Sequence, residues 1–350
     1  MVKYLYINIF WIWTLTLNAQ IGGSEVFQFL DLSNSARITA LGEHTLAMYG
    51  DDATGAYLNP SILNNSMDGS LSFNHNFRFE GIGNGYVSFA KHLSKIDYTA
   101  HVAVQYIGYG EFEFRDETGQ KLNTFDATEQ AIVFGVGKQW NRRWGFGVNA
   151  KFVNSRFETY KATGLFFDVA GIYRDSSGSF VATLVLGNVG TQLSKYTQGN
   201  LESTPFEIAF GISKRLEKLP VTLYFNLGNL QKWNLDNENP FDEEVIFLGQ
   251  DPKEKSQLEE GLDNLMRHIS LGTEFDIGKR GVFKLRLGYN HLKRKDLSVQ
   301  NLRSLAGFSF GFGVKVKKFQ IDYGNMIYHL AGSSNHFSIS TNLNSFKKVF

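Results

Sequence analysis

The chain has 350 residues, 35 Lys and Arg against 34 Asp and Glu, and a formal net charge of +1, which gives no reason to expect nucleic-acid binding. It contains no cysteine, which excludes disulfide scaffolds, thiolate metal sites, thiol nucleophiles and a lipid anchor on Cys. Glycine is abundant, and the mean hydropathy of −0.21 is too low for a helical membrane bundle. A membrane β-barrel remains compatible with this value, because its strands are apolar on only one face.

The first 19 residues have the pattern of a secretory signal. Lys3 is their only charge, an apolar run follows from about Tyr4 to Leu17, and Ala19 supplies a small residue for cleavage. The alternative is a transmembrane anchor, but the run is shorter than the roughly 20 residues that a spanning helix needs. The sequence therefore predicts a signal peptide over 1–19.

Residues 20–68 differ in texture from the rest of the chain. Ser33 is predicted to cap a helix over about 35–49, and Pro60 ends regular structure. The apolar side of this helix would carry Ile38, Leu41, Leu46 and Met48. A segment this short cannot bury a core of its own. It is predicted to be a hatch inside a barrel, with a periplasmic helix under the barrel rim as the alternative.

From residue 69 onward the dominant period is two, as in Phe308, Phe310 and Phe312, which alternate with small or polar residues. Most such segments run for about 9–14 residues, the length of tilted membrane strands and longer than typical soluble strands. About fourteen segments follow this pattern, near 69–80, 84–92, 96–109, 125–139, 144–157, 163–175, 178–189, 205–215, 219–230, 267–277, 282–293, 304–316, 318–330 and 335–346.

The connections between these segments alternate between tight and long. The long ones are 110–124, 190–204, 231–266 and 294–303, and no two of them are adjacent. Bacterial barrels have short periplasmic turns and longer outer loops. Residues 69–350 are therefore predicted to form an all-β membrane domain, an antiparallel transmembrane β-barrel of about fourteen strands.

The two faces of the predicted strands differ in chemistry. Charged and polar side chains alternate with the aromatic set and would line a wet lumen, namely His101, Lys284, Arg286 and Asp322. Aromatic residues near strand ends would form interfacial girdles, namely Tyr106, Tyr109, Trp140, Trp144, Tyr173 and Tyr328. Phe350 matches the C-terminal aromatic that is common in outer-membrane proteins. The alternative is a soluble β-sandwich or barrel with its aromatic residues inside.

Patterns that resemble catalytic motifs have simpler explanations. Ser309 lies in a G-x-S-x-G match over 307–311, but within a continuous alternating strand instead of the strand-to-helix turn that a nucleophile requires. The glycine-rich stretch 81–85 is typical of a hairpin turn, and the histidines lack metal-ligand spacing. The sequence predicts no enzyme activity, no cofactor and no metal.

The connection 231–266 carries ten acidic residues and three lysines. Leucines in its second half, including Leu258 and Leu262, recur at helical spacing. We predict an outer-surface helix that docks a partner, with Trp233, Phe241 and Phe247 as further anchors. The charge favours a basic protein patch, or Ca²⁺ bridging to anionic sugar. The alternatives are a lid over the barrel mouth and a solvated loop.

Several short motifs resemble known outer-membrane families. Leu41-Gly42, then Asp52-Ala53 and Asn59-Pro60-Ser61, resemble the N-terminal hatch of FadL-like and PorV-like barrels, although Glu43 stands where a second Gly is common. Over nearly its whole length the chain is similar to the PorQ family of the type IX secretion system of Bacteroidota. The matching features are Gly22-Gly23, Phe27-Gln28-Phe29-Leu30, Ala40-Leu41-Gly42, Tyr57-Leu58-Asn59-Pro60 and the terminal strands.

This resemblance implies a non-enzymatic role in a cell-surface attachment complex. The barrel would hold a PorZ-like surface protein, with PorU and PorV in the same complex, among outer-membrane lipid and anionic lipopolysaccharide. The complex would remove a C-terminal sorting signal from secreted cargo and attach the cargo to lipopolysaccharide. One alternative is a FadL-like transporter of hydrophobic small molecules, and another is a barrel enzyme that acts on lipid.

Overall fold

The structure, a computed structural model, describes residues 25–197, 199, 201–235, 257–278, 281–297, 305–329 and 332–346. The predicted signal peptide over 1–19 and the terminal Phe350 lie outside these residues.

Fourteen antiparallel strands form a closed barrel in which each strand pairs with its neighbours in the chain and β1 pairs with β14. The closed barrel confirms the predicted number of strands and excludes a β-sandwich. The strands are β1 (Ser70–Phe77), β2 (Gly83–Leu93), β3 (Tyr98–Arg115), β4 (Lys121–Gln139), β5 (Trp144–Phe157), β6 (Tyr160–Arg174), β7 (Phe180–Ser194), β8 (Glu207–Arg215), β9 (Val221–Leu227), β10 (Ile269–Ile277), β11 (Phe283–Asn290), β12 (Phe308–Val316), β13 (Phe319–His329) and β14 (Gly332–Asn342).

The outer face of the barrel is apolar and the lumen face is polar, as the period of two predicts. On β12, for example, Phe308, Phe310 and Phe312 are exposed while Ser309 is buried. The predicted position in the interfacial girdles is wrong for two residues, Tyr109 and Tyr328. Tyr109 donates a hydrogen bond to the lumen residue Glu129, and Tyr328 is buried inside the barrel, where it donates one to Glu43. Tyr106, Trp140 and Trp144 are exposed on the outside.

The long connections contain more structure than the sequence pattern indicated. Residues 110–124 are mostly strand, because β3 continues to Arg115 and β4 begins at Lys121. The helical spacing of the leucines is confirmed by α2 (Gln257–Arg267), and α3 (His291–Asp296) follows β11. None of the helices in the described part of the chain is long and apolar enough to cross a membrane.

Residues 25–68, the described part of the hatch, are largely buried and contact the inner sides of the strands. The predicted helix over 35–49 is wrong in extent, since α1 covers only Ala36–Ala40. Its N-cap is Ser35 instead of Ser33, and the Ser35 hydroxyl accepts a hydrogen bond from the Ile38 amide. Four short 3₁₀ helices complete the hatch, at Gln28–Asp31, Ala53–Tyr57, Pro60–Ile62 and Asn65–Met67.

The depth of an outward-facing residue should decide its tolerance of charge. Phe134, in the middle of β4, and Leu122, at the far end of the same strand, are both 58% exposed. Phe134→Lys should lower the free energy of unfolding by about 2–4 kcal/mol, because the lysine would face hydrocarbon near the bilayer midplane. Leu122→Lys, the matched control, should change it by less than about 0.5 kcal/mol. Reversible urea unfolding in lipid vesicles measures both, and equal losses would contradict the membrane orientation.

Candidate functional site: the hatched lumen and its outer mouth

Side-chain caps hold the hatch in its short helices. Asp52 accepts hydrogen bonds from the amide and hydroxyl of Thr54 at 3.0 and 2.7 Å, and Asn59 accepts them from the amide and hydroxyl of Ser61 at 3.1 and 2.5 Å. The Asn59 amide group also donates to the Leu46 carbonyl and to Thr183 on β7, both at 2.9 Å. Asp52 and Asn59, predicted from the hatch motif, therefore act as helix caps, and Asn59 also ties the hatch to the wall.

Glycines on the lumen face allow the hatch backbone to touch the wall. A Cβ on Gly324 would come within 2.2 Å of the Ala36 carbonyl oxygen, one on Gly288 within 2.3 Å of the Gly42 nitrogen, and one on Gly147 within 2.3 Å of the Pro60 carbonyl carbon. Real Cβ contacts are never this short, so these positions admit only glycine without movement of the chain.

The Leu41-Gly42 motif makes the turn that ends α1. Leu41 is fully buried, and Gly42 has a φ of +95°, a backbone conformation that favours glycine. The next residue, Glu43, also has a positive φ of 66°, a conformation that glycine adopts more readily than other residues. Glu43 accepts a hydrogen bond from Tyr328.

A buried ion-pair network joins the hatch to the wall at the end of the barrel with the tight turns. Arg37 of α1 donates to Glu274 on β10 at 2.9 Å and to Asp52 at 3.2 Å. Glu274 in turn accepts from Arg286 on β11 at 2.7 Å, and Arg286 donates to Asp322 on β13 at 2.6 Å. Arg286 is only 1% exposed. Charged side chains that the sequence pattern assigned to a wet lumen, such as Arg286 and Asp322, therefore pair with each other and, through Glu274, with the hatch.

Sequence reasoning missed Arg37 and Glu274 as members of this network. Arg37 lies in a hatch helix and Glu274 in β10, 237 residues apart in the chain, so only the closed barrel brings them together. Glu274 alternates with the apolar residues of β10, and this was the one sequence signal that placed it on the lumen face.

A second polar cluster lies in the outer half of the lumen. Lys151 on β5 donates to Asp168 on β6 at 2.9 Å and to Asn188 on β7 at 2.8 Å. Its ammonium group also lies 4.5 Å from the ring centroid of Tyr57 in the hatch. Asn188 donates to Asp31 of the hatch at 3.0 Å, so this cluster also ties hatch and wall.

Cavities in the described part of the lumen include two that lie toward opposite ends of the barrel. The first, of about 420 Å³, opens at the tight-turn end and includes Arg37, Arg286 and Asp322 in its lining. The second, of about 220 Å³, lies toward the outer mouth, and its lining includes His44 and Lys151. The two linings share no residue. The lining of the first cavity is predominantly polar and charged, which does not suit an apolar ligand, whereas the second combines charged residues with apolar ones such as Leu46 and Leu58.

Helices α2 and α3 are joined by ion pairs at the outer mouth. Asp263 on α2 accepts hydrogen bonds from Lys295 on α3 at 2.5 Å and from Arg267 on its own helix at 3.1 Å. Arg267 also donates to Asp296 at 3.2 Å. Partial burial works to raise the pKa of Asp263, but Lys295 and Arg267 outweigh it and lower this pKa to about 2.

Apolar side chains of this region project outward. Leu258 is 80% exposed, Leu262 62% and Trp233 64%. The Trp233 ring stacks on His268 with 5.7 Å between ring centroids. The structure thus places three of the predicted partner-binding residues on the outer surface, whereas Phe241 and Phe247 lie outside the described residues.

The serine of the G-x-S-x-G match has a structural partner. Ser309 lies within β12, faces the lumen and donates a hydrogen bond to the Ala40 carbonyl of the hatch at 3.1 Å. Among the described residues no group of three or more His, Asp or Glu side chains has the arrangement of a metal site.

No protein-family model and no curated protein sequence matches the chain. Solved structures with a similar fold include the Ralstonia pickettii toluene transporter TbuX, with a TM-score of 0.50 and 10% identity over 89% of this chain and 99% of the other. The Pseudomonas putida toluene transporter TodX gives a TM-score of 0.51 and 12% identity over 89% of this chain and 97% of the other. At such identities the similarity establishes the fold, that of a hatched outer-membrane barrel.

A side chain at one of the glycine contacts should displace the hatch. We expect Gly324→Ala to lower the free energy of unfolding by about 1–3 kcal/mol, because its methyl group would overlap the Ala36 carbonyl. It should also speed amide hydrogen exchange over 34–42. Gly171→Ala is the matched control, because its Cβ would meet only Phe146, at 3.6 Å. Unchanged exchange in Gly324→Ala would contradict the fixed docking of the hatch.

Acid should loosen α2 from α3. The folded-state pKa of Asp263 is about 2, below its ordinary value of 3.8. The stabilisation is therefore complete above about pH 4 and is lost as the pH falls toward 2. Amide exchange in α2, compared at pH 5 and pH 2.5 after correction for intrinsic rates, should show this loss. Asp263→Asn should remove the pH dependence, and an identical dependence in this variant would assign it to another group.

Proposed function

We propose that the chain is a non-enzymatic outer-membrane anchor of the PorQ type, which holds a PorZ-like protein at the cell surface together with PorU and PorV. The observation that carries the proposal is the filled lumen. A buried ion pair between Arg37 and Glu274 holds the hatch to the wall toward the tight-turn end of the barrel, and a hydrogen bond from Asn188 to Asp31 holds it in the outer half. Removing one partner of a buried pair typically costs about 3–5 kcal/mol, so a plug held in this way resists displacement.

The outer surface supplies the second support. An anchor needs an exposed apolar surface, and Trp233, Leu258 and Leu262 provide large apolar side chains at the outer mouth. The sequence of the same connection, 231–266, carries ten acidic residues, which favours a partner with a basic patch. The resemblance of the chain to the PorQ family points to the same role.

Transport of hydrophobic small molecules is the second candidate, and the fold comparisons favour it. TbuX and TodX, which share this architecture, are toluene transporters. One observation in this chain agrees with them. Phe27, Phe29 and Leu30 of the hatch fill an apolar site formed by Ile107, Phe166 and neighbouring residues in the outer half of the lumen. If this part of the hatch moved, an apolar molecule of similar size would fit in its place.

Deletion of the gene separates the two functions. For an anchor, secreted cargo should keep its C-terminal sorting signal or be released to the medium, while uptake of toluene and of a long-chain fatty acid stays normal. Normal cargo attachment together with lost uptake of either compound would overturn the anchor and support the transporter.

The exposed residues at the outer mouth should carry partner binding. We expect the triple variant Trp233→Ala, Leu258→Ala and Leu262→Ala to reduce co-purification of the partner from mild detergent by at least about tenfold. The matched control is Leu201→Ala, because Leu201 is 60% exposed in another outer loop. Heat-modifiable migration in gels checks that each barrel assembles. Full recovery of the partner with an assembled triple variant would exclude this surface.

A further inference from the structure

The hairpin of β3 and β4 stands alone above the rest of the barrel. The two strands pair from Thr99↔Gly137 up to Arg115↔Lys121. Their outer neighbours stop much earlier, because β2 pairs with β3 only as far as Gly108 and β5 pairs with β4 only as far as Ala127. The ribbon 111–126 therefore extends roughly 15–20 Å beyond the neighbouring strands.

This ribbon has two chemically distinct faces. On one face Phe112 and Phe125 stack with 5.4 Å between ring centroids and 20° between ring planes, and Phe114 follows on the same side. Phe112 is 42% exposed and Phe114 48%. This face overlooks the barrel mouth, because Phe125 points to the same side of β4 as the buried Ala127. Two-stranded ribbons are marginally stable in water, and this one exposes an aromatic face.

The opposite face carries an unbalanced pair of acids. Glu113 is neutralised by Arg115 and by Lys121, the latter at 3.0 Å. Glu111 and Asp126, by contrast, are paired directly across the ladder, and neither carboxylate has an ion-pair partner among the described residues. Like charges in directly opposite positions destabilise a sheet. This pair therefore favours a cation supplied by another molecule.

The free edge of β3 carries side chains of both the aromatic face and the acidic face. Over 111–114 the strand reads Glu-Phe-Glu-Phe, and no described strand pairs with the side of this segment that faces away from β4. The turn at the tip is well formed, since Asp116 accepts hydrogen bonds from the amides of Thr118 and Gln120 at 2.9 and 2.8 Å. The edge is thus a preorganised template for another strand.

We propose that the edge of β3 over 111–115 binds an extended segment of a protein partner in which Lys or Arg alternates with apolar residues. The added strand would place a basic side chain beside Glu111, which has no ion pair in the described part of the chain, and its apolar side chains beside Phe112 and Phe114, because strand side chains alternate between faces. Backbone hydrogen bonds supply affinity, and the two sets of side chains select the partner.

Charge disfavours a second copy of this chain as the occupant. In one membrane the β3 strands of two copies would point in the same direction, so their edges could pair only in parallel. The parallel register that aligns the phenylalanines would place Glu111 beside Glu111 and Arg115 beside Arg115. The proposal rests only on the outer position of this hairpin, which the anchor and the transporter share.

The test uses the full-length barrel in detergent and a fluorescent heptapeptide of alternating Val and Lys. The control peptide has the same composition but contiguous lysines, so its non-specific electrostatic attraction to the acidic outer surface is the same. We expect the alternating peptide to bind at least about tenfold more tightly and to slow amide exchange over 111–115. The paired change Glu111→Gln with Phe112→Thr should reduce this preference to about twofold or less. Glu117→Gln, the same change of charge at the turn, should retain it.

Equal affinity for the two peptides, protection confined to α2, or full binding by the paired variant with its barrel assembled would each overturn the proposal. So would dimerisation of the chain that the paired variant abolishes, because it would assign the edge to a second copy. Failure of the anchor function appears separately, as normal cargo attachment in the deletion strain with selective peptide binding unchanged.

Discussion

The hatch backbone lies in direct contact with the barrel wall, and this contact governs how the lumen is built. At Gly147, Gly288 and Gly324 a side chain would overlap main-chain atoms of the hatch. These lumen glycines therefore lie where the hatch backbone contacts the strands. The close contact also lets hatch carbonyls, such as that of Ala40, accept hydrogen bonds from side chains of the strands. A close-packed interior of this kind leaves little room for the hatch to shift without breaking many contacts at once.

Charge burial follows from the same contact. Arg286 and Glu274 would face water in an empty barrel, whereas here the hatch covers them and Arg37 completes their pairing. Replacing water with a hatch requires each buried charge to find a partner. The resulting network weakens the case for easy passage of apolar molecules, because opening a path would expose these groups to an apolar cargo. The aromatic site around Phe27 and Phe166 is the part of the lumen to which this objection does not apply.

The outer end of the barrel has the opposite character from the filled lumen. Exposed apolar side chains gather on α2, and the ribbon of β3 and β4 rises with a free edge and a stacked pair, Phe112 and Phe125. Soluble surfaces seldom retain such features without a use, since free edges and apolar patches promote aggregation. These features agree with the proposed role of the outer surface in binding a partner protein.

Local patterns in the sequence predicted about fourteen strands, the faces of those strands and a helix that carries Leu258 and Leu262, because the periods of two and 3.6 are local properties of the chain. The sequence also identified the hatch motif. It placed the helix cap at Ser33 instead of Ser35, because a serine at either position could cap a helix equally well. Local patterns did not predict that 110–124 is mostly strand, that Tyr109 and Tyr328 face inward, or that Arg37 pairs with Glu274. Each of these depends on contacts between distant segments, which closure of the barrel creates and local patterns do not encode.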